Sequence, residues 1–308
     1  MSENLSKTHS SDDEIDLREL FSALWRGKWI ILATTFVFAV AAIFYALSLP
    51  NIYKSEALLA PSAEQKSNGL SGQLGGLAAI AGVSLGGSAA VNKTMLAIEI
   101  LKSRQFIGRF IANHDLLVPL MATNGWDLYN DELLYDEDIY DKDLAKWVRE
   151  VSKPKESKPS LQEAHKIFLD QLSVVQDQTT GLVKLSFEHY SPFIAAEWTE
   201  LLVADLNYEM KNRDVVEAQA SISYLQQQIK DTNLEELRSA LYTLIEEQTK
   251  VLMMASVRPE YAFKTVDSAI APEEKSKPSR SIVCLVITIL GGFLSIMYVV
   301  IRFIAIGR

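Results

Sequence analysis

Two runs of the chain, Trp29–Leu49 and Ile282–Ile301, contain no charged side chain. About 20 apolar residues at roughly 1.5 Å rise per residue cross a hydrocarbon core of about 30 Å, so each run has the length of a transmembrane helix. Their positions near the two ends dictate the organisation: an N-terminal segment 1–28, a span 29–49, a folded domain 50–280, a second span 281–301 and a tail 302–308. A cleaved signal peptide is the rival reading of the first run, because Ala46-Leu47-Ser48 has a small-x-small pattern. The run exceeds the roughly 7–15 apolar residues of a signal core. It also follows an acidic segment carrying Asp12, Asp13, Glu14, Asp16 and Glu19. A retained span is therefore expected.

Arg26 and Lys28 immediately precede the first span, and basic residues hold that end in the cytoplasm. A loop of about 230 residues is translocated largely regardless of its charge, so Lys275, Lys277 and Arg280 do not overturn the assignment. Arg302 and Arg308 then lie back in the cytoplasm. The expected protein is a multi-pass bacterial inner-membrane protein with both termini inside and its bulk in the periplasm. Segments 1–28 and 302–308 are too short for a kinase, cyclase or signalling domain, and the periplasm supplies no ATP. The net charge of −9 falls entirely within 50–280, which excludes a nucleic-acid footprint and marks an acidic, soluble domain. Cys284, the single cysteine, lies inside the second run, so no disulfide staples the domain.

The usual catalytic and metal-binding motifs are missing from the sequence, although carboxylates are plentiful enough to supply an Asp/Glu pair. His9, His114, His165 and His189 include no pair with metal-ligand spacing on one helix. No G-x-S-x-G occurs. Asn92-Lys93-Thr94 lacks the glycine that a phosphate loop places before its lysine. Asp136, Asp138, Asp141 and Asp143 suggest a calcium loop, but Asp141 and Trp147 stand where glycine and glutamate are required. The acidic stretch 126–143 therefore reads as a solvated face. No enzyme, cofactor or metal is expected.

The middle segment reads as mixed helix and strand. Ile52–Ala60 alternates, with Tyr53, Ala57 and Leu59 on one face and Lys54 and Glu56 on the other, and Pro61 ends it. Residues 67–92 are rich in glycine and uncharged, and read either as an apolar loop or as a contact surface. Thr94–Ala112 has helical periodicity through Leu96, Ile100, Phe106, Ile107 and Phe110. Residues 151–160 are a linker, and Ser160 with Glu163 forms a capping box for a short helix. In Gly181–Tyr190, Val183, Leu185, Phe187 and His189 alternate with polar residues as a strand.

Ser191-Pro192 then opens a helix, and neither proline nor glycine returns before Pro259. Residues 192–257 are expected as one helix of up to ~99 Å at about 1.5 Å per residue, with Asp231-Thr232-Asn233 its one candidate break. Ile222, Leu225, Ile229, Leu237, Leu241 and Leu244 form a narrow apolar stripe along it. A stripe on so polar a helix needs a partner, and a second copy of the chain is the economical one. Phe263–Ala269 reads as a final strand whose pairing with the first would close an α/β base. The fold class expected is α+β: two transmembrane helices flanking a periplasmic α/β base with a very long projecting helix.

Several segments carry a family resemblance. Glu14-Ile15-Asp16-Leu17-Arg18-Glu19-Leu20 and Leu24-Trp25-Arg26-Gly27-Lys28-Trp29 resemble the opening of Wzz-type polysaccharide chain-length determinants, the polysaccharide co-polymerases. Tyr53–Leu59, the glycine-rich 75–87 stretch, Tyr224-Leu225 and Leu244–Gln248 are similar to family segments in the same order. So are Val266–Ala269, the membrane-entry motif of Pro272 with Pro278-Ser279-Arg280, and Gly291-Gly292 within the second span. The entry segment has fewer prolines than the family often shows. The resemblance implies a ring-like homo-oligomer that catalyses nothing. It implies that the oligomer sets the modal length of O-antigen, or of a related glycan on a polyprenyl carrier, made by a Wzy-type polymerase. Gly291 and Gly292 would permit close helix approach in the membrane. The alternative is an exopolysaccharide export adaptor serving a separate cytoplasmic tyrosine kinase, and a periplasmic sensor is a third reading.

Overall fold

The structure is a computed structural model that describes residues 25, 27–62 and 88–306, without the side chains of 88–92, 303, 304 and 306. The acidic opening segment, Arg26, Arg308 and the glycine-rich stretch up to residue 87 lie outside the described residues. The chain forms two compact units, one built on the terminal apolar helices and one spanning Asn51–Lys277. The first unit starts with α1 (Lys28–Ser48), a helix of 21 residues.

The second unit opens with β1 (Tyr53–Pro61). The helix expected over 94–112 is instead two, α2 (Ser88–Lys102) and α3 (Arg104–Asn113). Ser103 separates them: its backbone is extended and its hydroxyl accepts from the Phe106 N–H at 3.2 Å, starting a new helix. Ile100, Phe106, Ile107 and Phe110 are buried as the periodicity predicts, while Leu96 is exposed. After α4 (Leu117–Met121) come two small antiparallel hairpins, β2 (Thr123–Asp127) with β3 (Glu132–Tyr135) and β4 (Tyr140–Asp141) with β5 (Lys146–Trp147).

Helix α5 (Leu161–Gln171) begins with the expected capping box of Ser160 and Glu163, and β6 (Leu172–Gln176) and β7 (Val183–His189) follow. Next come α6 (Pro192–Asp231), α7 (Glu235–Val257) and β8 (Phe263–Asp267). The chain returns to the first unit with α8 (Arg280–Ile306).

The four long strands form one antiparallel sheet in the order β6-β7-β1-β8. The first and last strands therefore pair, as expected. Ala57, Leu59, Val183, Leu185 and Phe187 face a core completed by Phe110, Phe168, Trp198, Leu202 and Leu206. Helices α3, α5 and α6 cover that face. The other face carries Lys54, Glu56, Lys184 and Glu188 and stays polar.

The single helix expected over 192–257 is replaced by a helical hairpin. The break falls at Thr232–Leu234, where the candidate was placed, but the chain also reverses there. Tyr261 Oη donates to Asp214 Oδ2 at 2.6 Å, and the Ala262 and Phe263 N–H groups both donate to Asn207 Oδ1 at 2.8 Å. The end of α7 thus lies beside the middle of α6. The lengths agree: Asn207 to Asp231 climbs ~36 Å and the 23 residues of α7 descend ~35 Å, at about 1.5 Å per residue.

Candidate functional site

Three places hold the residues that the sequence singles out. The first is the apolar helix pair. Thr34 Oγ1 donates to Ser295 Oγ at 2.6 Å, and Cys284 Sγ approaches the Ala42 carbonyl at 3.7 Å. Later residues of α1 therefore meet earlier residues of α8, so the two helices run antiparallel. Ala42, Ala46, Ser295 and Val299 are buried along this seam, and most other side chains of both helices are exposed. Neither helix is packed inside the fold as a core helix would be, and both are long and apolar enough to cross a membrane.

The two glycines differ. A Cβ on Gly291 would collide with the Cγ of Phe38 and come within 2.9 Å of its Cδ2. A Cβ on Gly292 would meet Thr35 at 3.6 Å, an ordinary contact. Only Gly291 is required by close approach of the helices. Phe38, Thr34 and Ser295 complete the seam; the sequence shows them only as members of apolar runs, because periodicity does not say which face of a span meets its neighbour.

The second place is the connector that leads into α8. Ile52 N–H donates to the Lys277 carbonyl at 2.9 Å, and Ser276 N–H donates to the Ile52 carbonyl at 2.8 Å. This bridge ties the residues just before β1 to those just before Pro278. Lys277 Nζ also donates to Glu188 Oε2 at 2.6 Å. The Ser279 carbonyl accepts from Ile282 and Val283, so Ser279 caps α8 and Arg280 is its first residue. Pro278 precedes that cap, and Pro272 sits earlier in the irregular connector. The entry segment is thus a helix start, with Pro272 apart from it.

The third place is the apolar stripe. Ile222, Leu225, Ile229 and Leu241 are half-buried within the helical hairpin, with Ala218, Ile245 and Ala255. The partner of these positions is the returning helix. Leu237 and Leu244 instead remain 46% and 42% exposed.

The polar groups are structural in their bonding. His189 is buried; the Ser191 N–H donates to its Nδ1 at 3.1 Å, so Nε2 carries the proton and donates to the Pro119 carbonyl at 3.2 Å. Burial lowers its pKa to about 4, which keeps it neutral. At Glu209, burial pushes the carboxyl up, but Arg109 and Arg213 outweigh it and hold the group below its usual range. Glu163 is drawn down to about 2, chiefly by Arg149, which grips both of its oxygens at 2.9 and 3.1 Å. Among the described residues no cluster of histidine, cysteine and carboxylate side chains could hold a metal ion.

Residues 13–114 match the family model described as Wzz, chain length determinant protein. The Wzz-type resemblance is shown by that match, which takes in α1, β1 and helices α2 and α3. No curated protein matches the chain. Among solved structures the chain is similar to a "full-length bacterial polysaccharide co-polymerase", with 15% identity, 95% of this chain and 99% of that chain covered, and a TM-score of 0.40. It is also similar to a "Fragment of WzzB, Polysaccharide Co-polymerase from Salmonella Typhimurium", with 8% identity, 74% and 100% covered, and a TM-score of 0.29. Scores this low say nothing about a shared arrangement.

Proposed function

We propose that this chain, whose residues 13–114 match the Wzz chain length determinant model, is a non-catalytic inner-membrane regulator that sets the modal length of O-antigen or a related surface polysaccharide. It works as a homo-oligomer with a Wzy-type polymerase on a polyprenyl-linked glycan. The single observation that carries this reading is the family match over residues 13–114, which runs through the first apolar helix and into the domain behind it. The antiparallel pairing of α1 and α8 supports placing both termini on the same side of the membrane, and Lys28 and Arg302 at the outer ends of the helices support the cytoplasmic side. Residues 50–280 then lie in the periplasm, where a lipid-linked glycan is extended.

With Ile222, Leu225, Ile229 and Leu241 half-buried in the helical hairpin, contacts between copies fall to outward residues such as Leu237 and Leu244. Pro278, Ser279 and Arg280 start the second span, and the Gly291 seam holds the pair together or meets the polymerase.

The test is a gel of surface polysaccharide from a strain lacking the gene, with and without complementation. Loss of modal banding, restored by the gene, is the expected result. An unchanged ladder would refute length control and favour the export adaptor, whose mark is co-purification with a cytoplasmic tyrosine kinase.

A further inference from the structure

The hairpins of residues 123–147 serve neither the helix pair nor the sheet core. Here the sequence reading of a plain acidic surface meets a second feature, a ladder of aromatic rings. Tyr140 is its centre, with Tyr135 at 5.9 Å and Trp147 at 5.1 Å between ring centroids, both edge to face. All three rings are half-buried. Beside them lies a cavity of about 530 Å³. Tyr135, Tyr140 and Leu134 line it, and Glu132, Glu137 and Asp143 stand at its rim. Cavities of about 300–1,000 Å³ are the size that holds small ligands.

Lys142 Nζ lies 3.2 Å from Glu132 Oε2 at the same rim. Both side chains are well exposed, so this pair is weak and a ligand can displace it. Because no metal-binding cluster exists among the described residues, the carboxylates do not converge on a cation. Glu132 is held by Lys142, and Glu137 and Asp143 stand nearby as further hydrogen-bond acceptors around Tyr135 and Tyr140. Such a surface suits a ligand that lays an apolar C–H face on a ring and offers hydroxyl donors at its edge. A pyranose does both. An acidic sugar or a phosphate would meet like charge in the same place.

We propose that this cavity is a glycan subsite that takes neutral or amino-sugar residues of a polysaccharide chain. The inference rests on the reading of the protein as a polysaccharide chain-length regulator, and it adds the place where the domain touches the chain.

The test uses the full-length protein in detergent. It is titrated calorimetrically with oligosaccharides released by mild acid from the strain's own surface polysaccharide, and with oligogalacturonate as the acidic control. Tyr140→Ala removes the centre of the ladder. Glu132→Gln with Glu137→Gln changes only rim carboxylates and leaves the fold unthreatened. Saturable binding by the wild type, at least tenfold weaker in both variants and absent for oligogalacturonate, is the expected result. A flat wild-type titration, or equal binding by the rim variant and the wild type, would overturn the subsite. So would binding of a basic peptide in competition with the sugar, which would mark a protein partner. A flat titration beside a lost ladder in the deletion strain refutes the subsite and leaves length control standing. An unchanged ladder refutes length control whatever the titration shows.

Discussion

Replacing Gly291 by alanine tests the helix seam at its tightest point. The new Cβ would collide with the root of the Phe38 side chain, at Cγ and Cβ rather than at a mobile tip. Rotating the ring cannot relieve that overlap, so the helices must part. Overpacking of this kind costs about 1–3 kcal/mol. A change of that size shifts the pairing equilibrium roughly 5- to 150-fold. Gly292→Ala is the internal control, because its Cβ would meet Thr35 at an ordinary 3.6 Å.

The assay reads pairing as disulfide formation between Thr34→Cys and Ser295→Cys, whose hydroxyls lie 2.6 Å apart, in a Cys284→Ala background. After proteolysis within 51–277, the bond holds the two fragments that carry α1 and α8 together on a non-reducing gel, and uncleaved samples report any link between copies. Gly291→Ala should slow cross-linking at least fivefold, Gly292→Ala should leave it unchanged, and adding Phe38→Gly, which removes both overlapping atoms, should relieve the slowing caused by Gly291→Ala. Equal effects of the two glycine variants, or no rescue by Phe38→Gly, would refute the close-approach argument.

Two further outcomes follow from the unit spanning Asn51–Lys277. Asn207→Ala leaves the Ala262 and Phe263 N–H groups without their buried acceptor, at about 1–3 kcal/mol for each unsatisfied group. Urea unfolding followed by near-UV circular dichroism should show a lower midpoint, and an unchanged midpoint would dismiss the clamp. His189, with a folded pKa of about 4 against an ordinary 6.5, contributes stability that is fully present above pH 6.5 and lost as pH falls toward 4. The whole effect is about 3–4 kcal/mol at about 1.4 kcal/mol per pKa unit. The unfolding midpoint should therefore fall between pH 7 and pH 4.5 in the wild type and much less in His189→Gln.

Much of this protein is written in local pattern. The apolar helices α1 and α8 follow from charge-free runs of membrane length, and β1 and β7 follow from strict alternation. The starts of α5 and α6 follow from Ser160 with Glu163 and from Ser191 with Pro192, and even the break near Thr232 is visible as a cluster of poor helix formers. The hairpins of residues 123–147 are not legible this way: Tyr135, Tyr140 and Trp147 stand among acids with no period, and the acids hide the aromatic ladder.

What the tertiary structure decided was direction and face. A break near Thr232 is compatible with a bend or a reversal. The reversal is fixed by Asn207 and Asp214, which receive residues 261–263 from far along the chain. Likewise two adjacent glycines look equivalent in sequence, but successive residues on a helix point about 100° apart, so only Gly291 meets Phe38. Local periodicity records what a segment must hide, and only long-range contact determines what hides it.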